Sequence, residues 1–112
     1  MPRTQVCATV AAAGIDALRR ARDAASRVAD LVELRIDHLD RPDVRGALEG
    51  RSGRVLVTCR PAWEGGGFAG AEDERLGLLE QALDLGAEYV DVEWRAGDRA
   101  RDLVRRRQGR GI

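Results

Sequence analysis

Lysine does not occur in this sequence, and all nineteen basic residues are Arg. No side chain can therefore offer a primary amine, and a P-loop, which needs a Lys-Ser/Thr pair after its glycines, is excluded. Histidine occurs once, as His38, and cysteine twice, as Cys7 and Cys59. The two thiols form no CxxC pair and no metal-spaced set, and both stand in apolar runs; the expectation is two buried packing thiols and no metal site. No apolar stretch approaches the roughly 20 residues of a membrane-spanning helix, and the N-terminus lacks the basic-then-apolar order of a secretory signal. Net charge is missing too, because nineteen acidic residues cancel the nineteen Arg. No broad field then draws the chain to nucleic acid or an anionic membrane. The expectation is a cytoplasmic protein whose partners are small molecules or other protein.

What is present is regular patterning. The 112 residues, 44% of them apolar, suffice for one modest domain or a piece of one. Gln5 to Val10, Leu31 to Ile36, Arg54 to Arg60 and Glu88 to Trp94 read as four strands. Between the first two, Ile15, Leu18, Ala21, Ala25 and Val28 recur at three and four residues and form a helix stripe. Arg19, Arg20, Arg22, Asp23 and Arg27 fill the remainder as a solvated face. Pro42 fits the first turn of a short helix ending near Gly50. Glu72, Asp73 and Glu74 suit the positive end of a third helix, with Leu76, Leu79 and Leu83 as its stripe and Gly86 as its stop. Asp98 to about Arg107 makes a fourth helix around Leu103 and Val104, and its arginines fit an amphipathic outer helix better than a nucleic-acid tail. Four successive strand and helix units mean a parallel sheet covered by helices.

Such an order fits either an open doubly wound sheet or part of an eight-stranded barrel. Strand alternation decides between them. Glu33, Arg35 and Asp37 share one face while Leu34 and Ile36 share the other. Cys7 and Thr9 oppose Val6, Ala8 and Val10; Thr58 and Arg60 oppose Val57 and Cys59; Asp91 and Glu93 oppose Val90 and Val92. Strands buried under helices on both faces read as continuous apolar runs, which these do not. One face turns polar toward the carboxyl end of each strand, as at the mouth of a barrel. Burying these charged groups unpaired costs several kcal/mol per ion. They therefore read as a polar pocket for a hydroxylated or carboxylated ligand, or as a structural ion-pair network.

Three motifs in order, Glu33-Leu34-Arg35-Ile36-Asp37, Thr58-Cys59-Arg60 with Glu64-Gly65-Gly66, and Gly86-Ala87-Glu88-Tyr89-Val90-Asp91-Val92-Glu93, resemble type I 3-dehydroquinate dehydratase over residues 4 to 94. The resemblance implies an α/β fold of the parallel (β/α)8 TIM-barrel type with only the first four β/α units present, residues 1–112 being the N-terminal half of one barrel domain. It implies dehydration of 3-dehydroquinate to 3-dehydroshikimate through a lysine Schiff base, with no metal or organic cofactor, and a homo-oligomer (dimer) for the complete enzyme. By the same resemblance Glu33, Arg35 and Arg60 contact the substrate, Thr9 occupies the place of a substrate-contacting Ser, and Glu64 is an auxiliary that orients the catalytic histidine. Asp91 and Glu93 orient neighbouring basic groups. The glycines at 65 to 67 permit close approach to a ligand or make a flexible loop. The family's catalytic histidine and lysine belong beyond the fourth strand, so the chain is expected to be an incomplete, inactive part of the enzyme. His38 is expected to be a surface or loop histidine. Rival readings are a non-catalytic half-barrel that binds a polyhydroxy acid or self-associates, and another Schiff-base barrel enzyme acting on a sugar-like ketone.

Overall fold

A computed structural model describes residues 4–92, 97, 98 and 101–103. Strands β1 (Cys7–Ala11), β2 (Leu31–Arg35), β3 (Val55–Thr58) and β4 (Tyr89–Asp91) form one parallel sheet in chain order. Helices α1 (Ile15–Ser26), α2 (Val44–Leu48) and α3 (Glu72–Asp84) alternate with them. Val32, Leu34, Val55, Val57 and Val90 point to one face, where they pack with Leu18, Leu48, Leu76, Leu79 and Leu83 from the helices into a single buried core. The opposite face carries Thr9, Glu33, Arg35, Thr58 and Asp91, so the helices line one side of the sheet. A doubly wound sheet is thereby excluded among the described residues, and the arrangement is an arc of barrel wall.

Local chemistry fixes the element ends. Asp43 caps α2, its Oδ1 accepting from Gly46 N at 2.8 Å. Pro42 consequently precedes the cap instead of sitting in the first turn. The three acids expected at the start of α3 are there. Gly86, at φ +96°, closes α3, with Gly86 N donating to Leu83 O at 3.1 Å and Ala87 N to Ala82 O at 3.0 Å. This paired pattern is a Schellman motif, and it needs the left-handed conformation that glycine adopts without penalty. At this same amino end of the sheet, carboxylates complete the ladder: Asp30 Oδ2 accepts from Val6 N at 2.8 Å and Glu88 Oε1 from Val55 N at 2.9 Å.

Four expectations need correction. Val28 is 82% exposed, because α1 ends at Ser26 and the stripe does not reach it. Arg22, assigned above to the solvated face, is buried. It stands four residues after Leu18 and three before Ala25, on the inner stripe, and its Nη1 donates to Ala47 O and Glu49 O, both at 2.8 Å. The aliphatic stem packs in the core while the guanidinium satisfies carbonyls at the end of α2. Cys7 is exposed, since it lies on the face without helices, whereas Cys59 is buried as expected. Ile36 and Arg60 fall outside their strands, which end at Arg35 and Thr58. The expectations for Glu93 and for Val104 to Arg107 lie outside the described residues; Asp98 and residues 101–103 are helical, with Leu103 buried.

Arg22→Ala should destabilise the chain by about 1–3 kcal/mol, since two carbonyls lose their donor, while Arg20→Ala on the exposed face should stay within about 0.5 kcal/mol. Urea unfolding of the two variants checks this; equal effects would remove Arg22 from the account of how α1 meets α2.

Candidate active site

Parallel register sets Thr9 beside Glu33 and Thr58 beside both Arg35 and Asp91. Residues level with one another in a parallel sheet share a face, so these side chains converge near the carboxyl ends of the strands. Glu33 is held from both sides: Thr9 Oγ1 donates to Oε1 at 2.7 Å and Thr58 Oγ1 to Oε2 at 2.6 Å. Each carboxylate oxygen retains acceptor capacity, while both threonine protons are committed to it. Thr9 is therefore part of the Glu33 clamp, and its hydroxyl oxygen keeps acceptor capacity. Thr58 has no role in the sequence-based expectations; alternation places it on this face, but only the register reveals its partner.

Arg35 meets Asp37 in a two-point contact, Nε to Oδ1 at 2.9 Å and Nη2 to Oδ2 at 2.8 Å. The Asp37 side chain is fully buried. Burial opposes its ionisation, but hydrogen bonds from Arg35 and from the Gly67 and Arg60 amides outweigh it and hold the carboxyl below the usual carboxylate range. Asp37 in turn raises the Arg35 pKa, chiefly through that hydrogen bond. Asp91 goes the other way: burial, then repulsion from Glu33, push its carboxyl up, against attraction to Arg60, whose Nη2 lies 3.7 Å from Asp91 Oδ2. The expected orienting role of Asp91 thus has its basic partner in Arg60.

The loop after β3 is compact. A 3-10 turn over Ala62–Glu64 carries half-buried Glu64 and ends at Gly65, φ +80°. Gly66 N donates to Pro61 O at 2.9 Å, Phe68 N to Arg60 O at 3.1 Å and Ala62 N to Phe68 O at 2.9 Å. A side chain on Gly66 would overlap the Arg60 carbonyl. The close approach that Gly66 and Gly67 make is thus to the chain's own backbone. His38 is exposed, 3.7 Å from Asp37 Oδ2 through its Nε2. Arg75, which has no sequence signal, is fully buried on α3; it donates to Cys59 O at 2.9 Å and to both Glu72 oxygens at 2.8 and 2.6 Å, anchoring the end of β3. No group of three or more His, Cys, Asp or Glu among the described residues is disposed to hold a metal, and no helix there is long and apolar enough to cross a membrane.

The family model for type I 3-dehydroquinase matches residues 6–112. The chain belongs to that family. Its relatives include the 3-dehydroquinate dehydratase of Desulfotalea psychrophila, 36% identical over 107 residues covering 94% of this chain and 46% of that protein. The 3-dehydroquinate dehydratase of Thermococcus gammatolerans is 38% identical over 104 residues, covering 87% of this chain and 48% of that one. A bifunctional 3-dehydroquinate dehydratase/shikimate dehydrogenase of Arabidopsis thaliana is 40% identical over 93 residues, 79% of this chain and 15% of its own length. A crystal structure of the type I 3-dehydroquinate dehydratase of Clostridium difficile, with covalently modified comenic acid, superposes at a TM-score of 0.76 and 21% identity, over 96% of this chain and 47% of that one. The fold of the 3-dehydroquinase family chain is accordingly of the TIM-barrel type, with four of its strands and three of its α-helices among the described residues. The chain spans about half the length of the single-function relatives it matches.

Thr58→Val keeps the shape of the side chain and removes a buried donor to a carboxylate, so it should cost about 1.5–3 kcal/mol, and Thr9→Val, at the exposed edge strand, less. Chemical unfolding of both checks the order; a larger loss for Thr9→Val would contradict the two-sided clamp as described.

Proposed function

We propose that this chain is the N-terminal half of a single barrel domain whose complete form dehydrates 3-dehydroquinate to 3-dehydroshikimate in the shikimate pathway, and that it supplies the substrate-holding side of that site. The observation that carries the reading is the Glu33 clamp, with Arg35 and Arg60 beside it at the carboxyl rim of the sheet, in a member of this family. A carboxylate beside guanidinium groups accepts from and donates to vicinal hydroxyls while the charges balance one another. Glu33 is the acceptor, Arg35 and Arg60 are donors, and Thr9 adds an acceptor oxygen. Asp91 orients Arg60, and Glu64 orients the histidine that transfers protons in the complete enzyme. Imine formation with the substrate ketone needs a primary amine, and this sequence has no lysine. In this reading the 112 residues bind and orient, and the covalent step belongs to a lysine outside them. The activity is cytoplasmic and the complete enzyme a homo-oligomer.

The test has two arms. The purified chain with 3-dehydroquinate should give no rise in conjugated-enone absorbance and no borohydride-trapped adduct by intact mass; turnover would overturn the division of labour. Co-expression with a segment carrying the remaining strands, histidine and lysine of a relative should restore turnover, and Glu33→Gln in this chain should then lower kcat/KM by roughly tenfold or more. Restored turnover insensitive to Glu33→Gln would remove Glu33 from the site.

A further inference from the structure

We infer that Asp37 is a positioning residue that couples the two sides of the substrate rim, fixing with one carboxylate both the Arg35 guanidinium on β2 and the Glu64-bearing loop after β3. The inference rests on the preceding reading only in taking Arg35 and Glu64 as members of the substrate site. Asp37 lies just past β2 in a 3-10 turn over Ile36–His38, and that turn carries its side chain inward until none of it is exposed. Oδ1 accepts from Arg35 Nε at 2.9 Å. Oδ2 accepts both from Arg35 Nη2 at 2.8 Å and from Gly67 N at 2.9 Å, thirty residues along the chain. One oxygen therefore joins a side chain of β2 to the backbone of the next loop.

Two consequences follow for the rim. Asp37 occupies the Nε–Nη2 edge of Arg35, which leaves the Nη1 protons and the outer Nη2 proton for other partners and fixes the plane of the fork. The loop from Arg60 to Phe68 is closed by its own backbone bonds, so pinning Gly67 N sets the position of Glu64 as well. The approach is close enough to require glycine: a Cβ on Gly67 would lie 2.6 Å from the Asp37 carbonyl oxygen. The groups facing the carboxylate are Arg35 from β2, His38 Nε2 at 3.7 Å from its own turn, and the Gly67 and Arg60 amides from the loop. Glu33 and Asp91 act on the same guanidinium and strengthen its positive charge. Because the folded-state pKa of Asp37 is depressed, the clamp is present above the ordinary carboxylate pKa and is lost as pH falls through the depressed value.

Hydrogen exchange and ¹⁵N NMR on the 112-residue chain, without substrate, test the coupling. In Asp37→Asn the Gly67 amide and the Arg35 Nε–H should both lose protection, by at least about tenfold, while the Leu34 and Val57 amides keep theirs. Arg35→Gln, which keeps the carboxylate, should shift the pH midpoint of the Gly67 amide resonance upward, as it must if one carboxylate serves both Arg35 and the loop. That variant decides the matter if Asp37→Asn does not fold. Unchanged Gly67 protection in the first variant, or an unmoved Gly67 midpoint in the second, would overturn the proposal. Samples with 3-dehydroquinate added report on the substrate reading separately, so failure of one is distinguishable from failure of the other.

Discussion

Among the described residues the sheet has helices on one side, and the polar cluster on its other face depends on that constraint. Side chains alternate along each strand, so packing Val32, Leu34, Val55, Val57 and Val90 under the helices commits their neighbours to the other face. Glu33, Arg35, Thr58 and Asp91 gather there through parallel register alone, without any loop having to deliver them. A one-residue slip of β2 would bring Glu33 and Arg35 under α1 and put Val32 and Leu34 on the open face. The apolar core thus holds the register that assembles the site.

The carboxylates on that face differ in the partners they have. Glu33 has two hydroxyl donors, Asp37 a two-point guanidinium and a backbone amide, and Asp91 the more distant Arg60. Three carboxylates thus stand against two guanidinium groups. Of the three, Asp91 has the longest ion pair and the carboxyl pushed upward, so the crowding of negative charge falls on the residue least able to offset its burial. Asp37, the most buried, has the most donors and the opposite shift.

Much of this was legible from the chain alone because it follows from periodicity. The four strands, the first-turn acids of α3, the Gly86 stop and the one-sided polar face all follow from spacing and from the φ demands of single residues. Reading Arg22 by its charge fails where geometry outranks it, and nothing in the sequence singles out Arg75: both lie on inner helix positions, and their donors satisfy carbonyls that no sequence pattern marks as needing a partner. Thr58 was placed on the correct face but without its partner, since a hydrogen bond between strands depends on register. Cys7 shows the converse error, where an apolar neighbourhood in sequence stood in for burial although β1 lies at the sheet edge. The three glycines at 65 to 67 read as a flexible or ligand-approaching loop, and backbone contacts with Arg60 and Asp37 instead make that segment a fitted piece of the rim.

In the proposed function the face bearing Glu33 recognises the substrate. Chemical-shift mapping of the ¹⁵N-labelled chain titrated with 3-dehydroquinate tests it most directly. Saturable shifts should centre on Thr9, Glu33, Arg35, Thr58 and Arg60, with the helix-facing residues Leu34, Val57 and Val90 unmoved and the response abolished in Glu33→Gln. Saturable shifts on the helical side, or shifts on the open face that persist unchanged in Glu33→Gln, would contradict it.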